Sequence, residues 1–142
     1  MLKGIPGIIP PDLLKILMEM GHGDEIVIGD GNFPAAPMAN RLVRCDGHGV
    51  PEILDAILQL FPLDQYVEKP VSLMAVVPGD DTPTPVIWDT FEKIIAKYET
   101  AKIEYVERFA FYEKAKSAYA IVASGEGAIY ANVILKKGVI KE

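Results

Sequence analysis

His22 stands between Gly21 and Gly23, so its backbone is unusually free and its ring is not shielded by neighbouring side chains. An imidazole, with an ordinary pKa of about 6.5, is suited to moving protons near neutral pH, and a carboxylate close by can orient it or bind a hydroxyl. Asp30 follows the short apolar run Glu25-Ile26-Val27-Ile28-Gly29, which is too brief for a helix and reads as a buried strand. In open α/β sheets ligands lie outside the carboxyl ends of strands, which is where this reading puts Asp30. Plain structural roles also fit: a histidine at a helix C-terminus and an aspartate capping a turn.

Arg108 opens the stretch Arg108-Phe109-Ala110-Phe111-Tyr112-Glu113, a cation followed closely by aromatic rings. That mixture suits a sugar, whose apolar faces lie on aromatic rings while Arg108 or Tyr112 bonds its hydroxyls. A core helix with Arg108 paired to Glu107 or Glu113 is the competing reading. Tyr130-Ala131-Asn132 offers a phenol, a backbone amide and a carboxamide, although Asn132 by itself fits a turn equally well.

Other chemistries find less support. His48, also flanked by glycines, is far from His22 in sequence and forms no i, i+4 pair with it, so it reads as an exposed loop residue and no metal site is expected. Cys45, the single cysteine, has no partner for a disulfide and sits in an apolar run as a small core residue. Gly125-Glu126-Gly127 lacks the further glycines and the lysine of a phosphate loop and reads as a turn.

The elements that position these residues follow from periodicity. Leu13, Ile16, Leu17 and Met20 predict a helix over 11–20, started by Pro11 and stopped by Gly21. Strands are expected at 25–29, 42–45, 71–77, 103–106 and 118–123, with a last one through Val133-Ile134-Leu135. Helices are expected from Val50 to Phe61, over 86–98 with Thr84 as cap and Pro85 at its first position, and over 109–116. Strands separated by helices need crossover connections, so the expected fold is a three-layer α/β/α arrangement around a largely parallel sheet.

The 142 residues fit one domain over 1–142, large enough to fold on its own core. Half of the residues are hydrophobic and 24% are charged, which is globular rather than disordered. Fourteen Lys and Arg against twenty Asp and Glu give a net charge of −6, which argues against nucleic acid or an anionic membrane as partner. Prolines break the apolar start at Pro6, Pro10 and Pro11, so neither a signal peptide nor a membrane span is expected, and the lone cysteine suits a reducing cytoplasm.

Four segments in order add a more specific signal. Met20-Gly21-His22-Gly23-Asp24-Glu25, Asp30-Gly31-Asn32-Phe33-Pro34-Ala35, Arg108-Phe109-Ala110-Phe111-Tyr112-Glu113, and Ser124-Gly125-Glu126 with Tyr130-Ala131-Asn132 and Lys136-Lys137-Gly138-Val139 together resemble the RbsD/FucU family of sugar mutarotases and pyranases. The resemblance runs from Met1 to Val139. It implies an RbsD-like fold, His22 as catalytic acid–base residue, and Asp30, Arg108, Tyr130 and Asn132 as sugar contacts, with Tyr112 as a further candidate. Ribose enzymes of the family have a histidine near the position of Arg108, whereas the Arg-Phe-x-Phe-Tyr-Glu form resembles the fucose branch. The implied reaction is therefore interconversion of the α and β anomers of L-fucose, without cofactor or metal. Family members resemble rings of identical subunits, often decamers, with sites near subunit contacts. Two alternatives remain at this point: a D-ribose pyranase acting between pyranose and furanose forms, and a monosaccharide-binding protein without turnover.

Overall fold

The computed structural model describes residues 1–142. In chain order the elements are α1 (Pro11–Glu19), β1 (Glu25–Gly29), α2 (Ala35–Met38), β2 (Leu42–Cys45), α3 (Val50–Leu58), β3 (Val71–Met74), α4 (Ile87–Ala96), β4 (Ile103–Val106), α5 (Arg108–Ser117), β5 (Ala120–Ser124) and β6 (Val133–Lys136). The strands form one sheet in the order β2-β5-β1-β6-β3-β4. β1, β5 and β2 pair in parallel, as do β3 and β4, whereas β6 is antiparallel to both of its neighbours. Five strands thus point one way and β6 alone is reversed.

The apolar runs in β1, β3 and β5 arise because both faces of the sheet are covered, so every position but Glu25 is buried. On one face Ile26, Ile28, Leu73, Val122 and Leu135 pack with Leu13 and Ile16 of α1, Leu54 and Ile57 of α3 and Phe91 and Ile95 of α4. On the other, Val27, Ile121 and Ile134 meet Ala35 of α2 and Phe111 and Ala115 of α5. Each fully buried Leu, Ile or Phe side chain contributes about 1.5–3 kcal/mol of transfer free energy, so the strand alternation decides which helix covers which face.

Several boundaries differ from the sequence expectation. β3 ends at Met74 rather than Val77, because the chain turns away from the sheet after the Ala75 amide donates to the Val106 carbonyl at 2.8 Å. α4 begins at Ile87, and Thr84 does not cap it: the Trp88 and Asp89 amides donate to the Pro85 and Val86 carbonyls at 3.2 and 3.1 Å in a tight first turn. β5 starts at Ala120, Ala118 being the residue that closes α5. α2 was not foreseen, since four residues containing Pro37 carry no periodicity to read.

Candidate functional site

The reversal of β6 builds the site. β5 and β6 lie on either side of β1, so the connection between them must cross over the carboxyl end of β1. That crossing segment lays Tyr130, Ala131 and Asn132 against Asp30. The Asp30 amide donates to Asn132 Oδ1 at 2.8 Å, and the Asp30 carboxylate accepts from the Asn32 amide at 3.0 Å and the Ala131 amide at 3.4 Å. Gly31 sits beneath the same crossing; its amide donates to the Glu126 carbonyl at 2.8 Å, and a Cβ there would lie only 2.9 Å from that oxygen. Asn132 is therefore more than a turn residue: it is buried and fixes the backbone of Asp30.

Around these residues opens a cavity of about 260 Å³ lined by Asp30, Asn32, Phe33, Met74, Val77, Asp80, Arg108, Tyr112, Ile129, Tyr130 and Asn132. It falls below the roughly 300–1,000 Å³ of pockets for drug-sized ligands, as suits a small polar molecule. All of the expected contacts, Asp30, Arg108, Tyr112, Tyr130 and Asn132, line it together. Arg108 does not pair with either neighbouring acid: Glu107 caps α5 by accepting from the Phe109 and Ala110 amides at 3.0 Å, and Glu113 pairs with Lys116. Its guanidinium lies over the Phe109 and Tyr112 rings, 5.2 and 5.6 Å from their centroids, with its donors free for a ligand. Burial pushes the Asp30 carboxyl above its ordinary pKa, and the amides of Asn32, Ala131 and Phe33 and the Asn132 side chain only partly oppose this.

His22 lies elsewhere. It precedes β1 and Asp30 follows it, so the two are separated by the length of a strand, about 16 Å at roughly 3.3 Å per residue. Half exposed, His22 sits at the opposite end of the sheet, and its nearby carboxylate is Asp64, which the sequence reading did not single out. His22 Nε2 and Asp64 Oδ1 are 3.0 Å apart, and the same oxygen accepts from the Tyr66 amide at 3.0 Å. The Tyr66 ring flanks the imidazole with centroids 5.3 Å apart. Burial pushes the Asp64 carboxyl up, but the Tyr66 amide, His22 and Lys136 outweigh it and hold the group below the usual carboxylate range. An ionised Asp64 can only accept, so in the neutral imidazole Nε2 carries the hydrogen and Nδ1 the lone pair.

The segment that carries Asp64 is pinned to the end of β6. The Asp64 amide donates to the Lys136 carbonyl at 3.0 Å and the Gly138 amide to the Pro62 carbonyl at 2.8 Å. A Cβ on Gly138 would lie 2.4 Å from the Leu63 carbonyl oxygen, which accounts for glycine there. Nothing in the pattern Pro62-Leu63-Asp64 betrays this role, because it depends on two segments that meet only in the fold.

The remaining candidates occupy structural positions. His48 bonds Glu52 at 3.2 Å on the surface, and Cys45 is buried in the core. A larger hollow of about 550 Å³ along α4 and β4 is bordered by Lys69, Glu92, Thr100 and Lys102, all exposed. No helix is long and apolar enough to cross a membrane.

An L-fucose mutarotase of Actinobacillus pleuropneumoniae serotype 5b is 52% identical over 141 residues, covering 98% of this chain and 97% of that protein. The crystal structure of the fucose mutarotase in complex with L-fucose from Streptococcus pneumoniae superimposes with a TM-score of 0.94 at 56% identity, over 99% of this chain and 100% of that one. Bacillus subtilis RbsD complexed with D-ribose is similar at a TM-score of 0.75 and 26% identity, over 99% of this chain and 100% of that one. The model of the RbsD / FucU transport protein family matches residues 3–140, and with the full-length relatives it establishes that the chain belongs to the RbsD/FucU family.

Proposed function

We propose that the protein is a mutarotase that interconverts the α and β anomers of L-fucose. The observation that carries this reading is the unpaired Arg108 lining one small cavity with the buried Asp30, in a chain 52% and 56% identical to the two fucose mutarotases named above. The lower similarity to the ribose-bound relative favours fucose over ribose.

The chemistry is balanced within the sugar and needs no cofactor or metal. The anomeric hydroxyl loses a proton, the ring oxygen gains one, and the bond between the anomeric carbon and the ring oxygen breaks to give an aldehyde. Rotation about the adjacent carbon–carbon bond and reclosure on the other face return the proton and yield the second anomer. His22 acts as the acid–base residue through Nδ1, and Asp64 is a positioning residue that sets its tautomer. Asp30 accepts from sugar hydroxyls, Arg108 donates to them, Tyr112 offers a ring face, and Tyr130 and Asn132 complete the contacts.

Because His22 cannot reach the cavity of its own chain, a second copy supplies it. The two ends of the sheet carry exposed apolar side chains: Phe109 and Ile129 beside the cavity, Tyr66 and Ile140 near His22. Unlike surfaces that meet head to tail generate a ring when the rotation closes. The working form is a ring-shaped homo-oligomer, with each site made by two subunits, and the lone buried Cys45 suits a reducing cytoplasm.

Saturation-transfer NMR on the anomeric protons of L-fucose, with D-ribose and an enzyme-free control in parallel, tests the reaction. Exchange between fucose anomers that depends on enzyme, with little effect on ribose, is expected; no acceleration of fucose exchange removes the reading. Arg108→Ala should weaken fucose binding about 10- to 100-fold, the equivalent of a charge-assisted hydrogen bond at about 1.5–3 kcal/mol, with the saturating rate less affected. Collapse of the saturating rate at constant affinity would instead give Arg108 a transition-state role.

Asp30→Asn should lower fucose affinity and also change how stability depends on pH. A raised carboxyl pKa means that the native state holds its proton more tightly than the unfolded chain, whose value is near 3.8. Asp30 therefore costs stability at neutral pH, and the cost disappears as the pH falls through the raised value. The melting temperature of Asp30→Asn relative to wild type is expected to be higher at neutral than at acid pH. A gap that stays constant across this range would show that the ionised carboxylate carries no burial cost.

A further inference from the structure

Tyr130 has φ +56°, in the left-handed region that a tyrosine rarely adopts, and the segment 77–88 holds it there at both ends. The Trp88 indole Nε1 donates to the Tyr130 carbonyl at 2.9 Å. The phenol donates to Asp80 Oδ2 in a short hydrogen bond and accepts from the Val77 amide at 3.3 Å. The other carboxylate oxygen of Asp80, Oδ1, accepts from the Thr82 amide at 2.9 Å and the Thr82 hydroxyl at 2.6 Å. One oxygen of Asp80 thus builds its own turn while the other reaches across to Tyr130, and both residues line the cavity with Arg108.

We propose that Asp80 is a specificity-determining residue that sets the hydrogen-bond polarity of Tyr130: with the phenolic proton committed to Asp80 and one lone pair taken by the Val77 amide, the phenol has only a lone pair left for the cavity. An ionised carboxylate accepts and never donates, so the proton between Asp80 and Tyr130 belongs to the phenol. A phenol has one proton, so Tyr130 has none left for a ligand. Any group that bonds the cavity face of Tyr130 must therefore bring its own donor. Together with the carboxylates of Asp30 and Asp80 this gives the cavity a set of acceptors beside Arg108, which only donates. Such a lining demands hydroxyls at defined ring positions, and a sugar lacking the one that faces Tyr130 leaves a polar oxygen without its partner.

The inference rests on the reading of this cavity as the fucose site, and its test separates the two. In Asp80→Asn, the Thr82 amide keeps the carbonyl oxygen at the Oδ1 position, so the NH₂ group takes the position facing Tyr130. The amide then donates to the phenol and turns the phenolic proton toward the cavity. We expect the KM for L-fucose to rise at least tenfold with a smaller change in kcat, and little further effect of Asp80→Asn in a Tyr130→Phe background. Among L-fucoses each lacking one ring hydroxyl, the wild type should discriminate against one about 10- to 100-fold, and Asp80→Asn should lose that discrimination while keeping the others. Carbon-13 NMR of the Tyr130 ring, assigned with Tyr130→Phe, should show the phenol titrating at lower pH in Asp80→Asn than in wild type.

Fucose kinetics within threefold of wild type and an unchanged penalty for every deoxy sugar would overturn the proposal. So would a Tyr130 titration unmoved by Asp80→Asn, which would mean that the phenol does not give its proton to Asp80 in solution. If the wild type itself fails to accelerate fucose exchange, the sugar reading falls, and the Tyr130 titration still decides who holds the proton. Should Asp80→Asn not fold, Asp80→Glu with Tyr130→Phe supplies the same comparison: Glu keeps an acceptor, and its retained discrimination against the same deoxy sugar is the expected result, while equal loss in both variants overturns the proposal.

Discussion

His22→Ala should lower the enzyme-dependent exchange of L-fucose anomers at least a hundredfold with the fold intact. The imidazole is half exposed, so its removal leaves no core cavity; the buried Asp64 carboxylate loses one partner but keeps the Tyr66 amide, so the fold should persist with some loss of melting temperature. The rate loss follows from the reaction: opening the ring moves one proton off the anomeric hydroxyl and one onto the ring oxygen. A positioned acid–base group contributes about 10²–10⁴-fold to such a step, or roughly 2.7–5.5 kcal/mol. Because mutarotation already proceeds in water, an acceleration of this size is a large share of what the protein adds. Exchange within threefold of wild type, measured at saturating fucose, would remove His22 from the mechanism. A loss confined to KM would instead make it a binding residue, as in a protein that holds the sugar without turning it over.

What could be read in the sequence has a physical pattern. β1 and β5 were legible because strands buried on both faces are written as unbroken apolar runs, and α3 because its apolar positions repeat over the whole helix. Asp30 was legible as a site because it ends such a strand, a place that topology reserves for ligands. The ends of β3 and α4 were not, since they are decided by the pull of the 77–88 segment toward Tyr130, a contact between residues about fifty positions apart. Asp64 and Asp80 were missed for the same reason. Each acts on a partner brought by another element, His22 before β1 in one case and Tyr130 before β6 in the other, and neither pair leaves a spacing to find. The reversal of β6 was equally hidden: its residues are as apolar as those of a parallel strand, yet its direction is what sends Tyr130 and Asn132 over Asp30.

The separation of His22 from the cavity makes a second large effect measurable. His22→Ala keeps an intact cavity, and the double variant Asp30→Asn/Arg108→Ala keeps an intact His22; each alone should have at most about a hundredth of wild-type exchange at moderate fucose concentration. Co-expressed with separate tags and purified through both, the two chains should recover about a quarter of wild-type activity in a large ring and more in a small one, since rings of one chain alone are removed. The figure follows from random mixing in a closed ring: half of the cavities are intact, and half of those face a neighbour that still has its histidine. If His22 served the cavity of its own chain, every site in the mixture would lack one half or the other, and the activity would be the average of two inactive proteins. Recovery therefore separates a site shared between subunits from one enclosed in a single chain without any knowledge of the number of subunits. It would also tie the two ends of β1 to one reaction: the strand that holds Asp30 at its carboxyl end keeps His22 away from it, and in the proposed ring another copy's His22 would come to the same sugar.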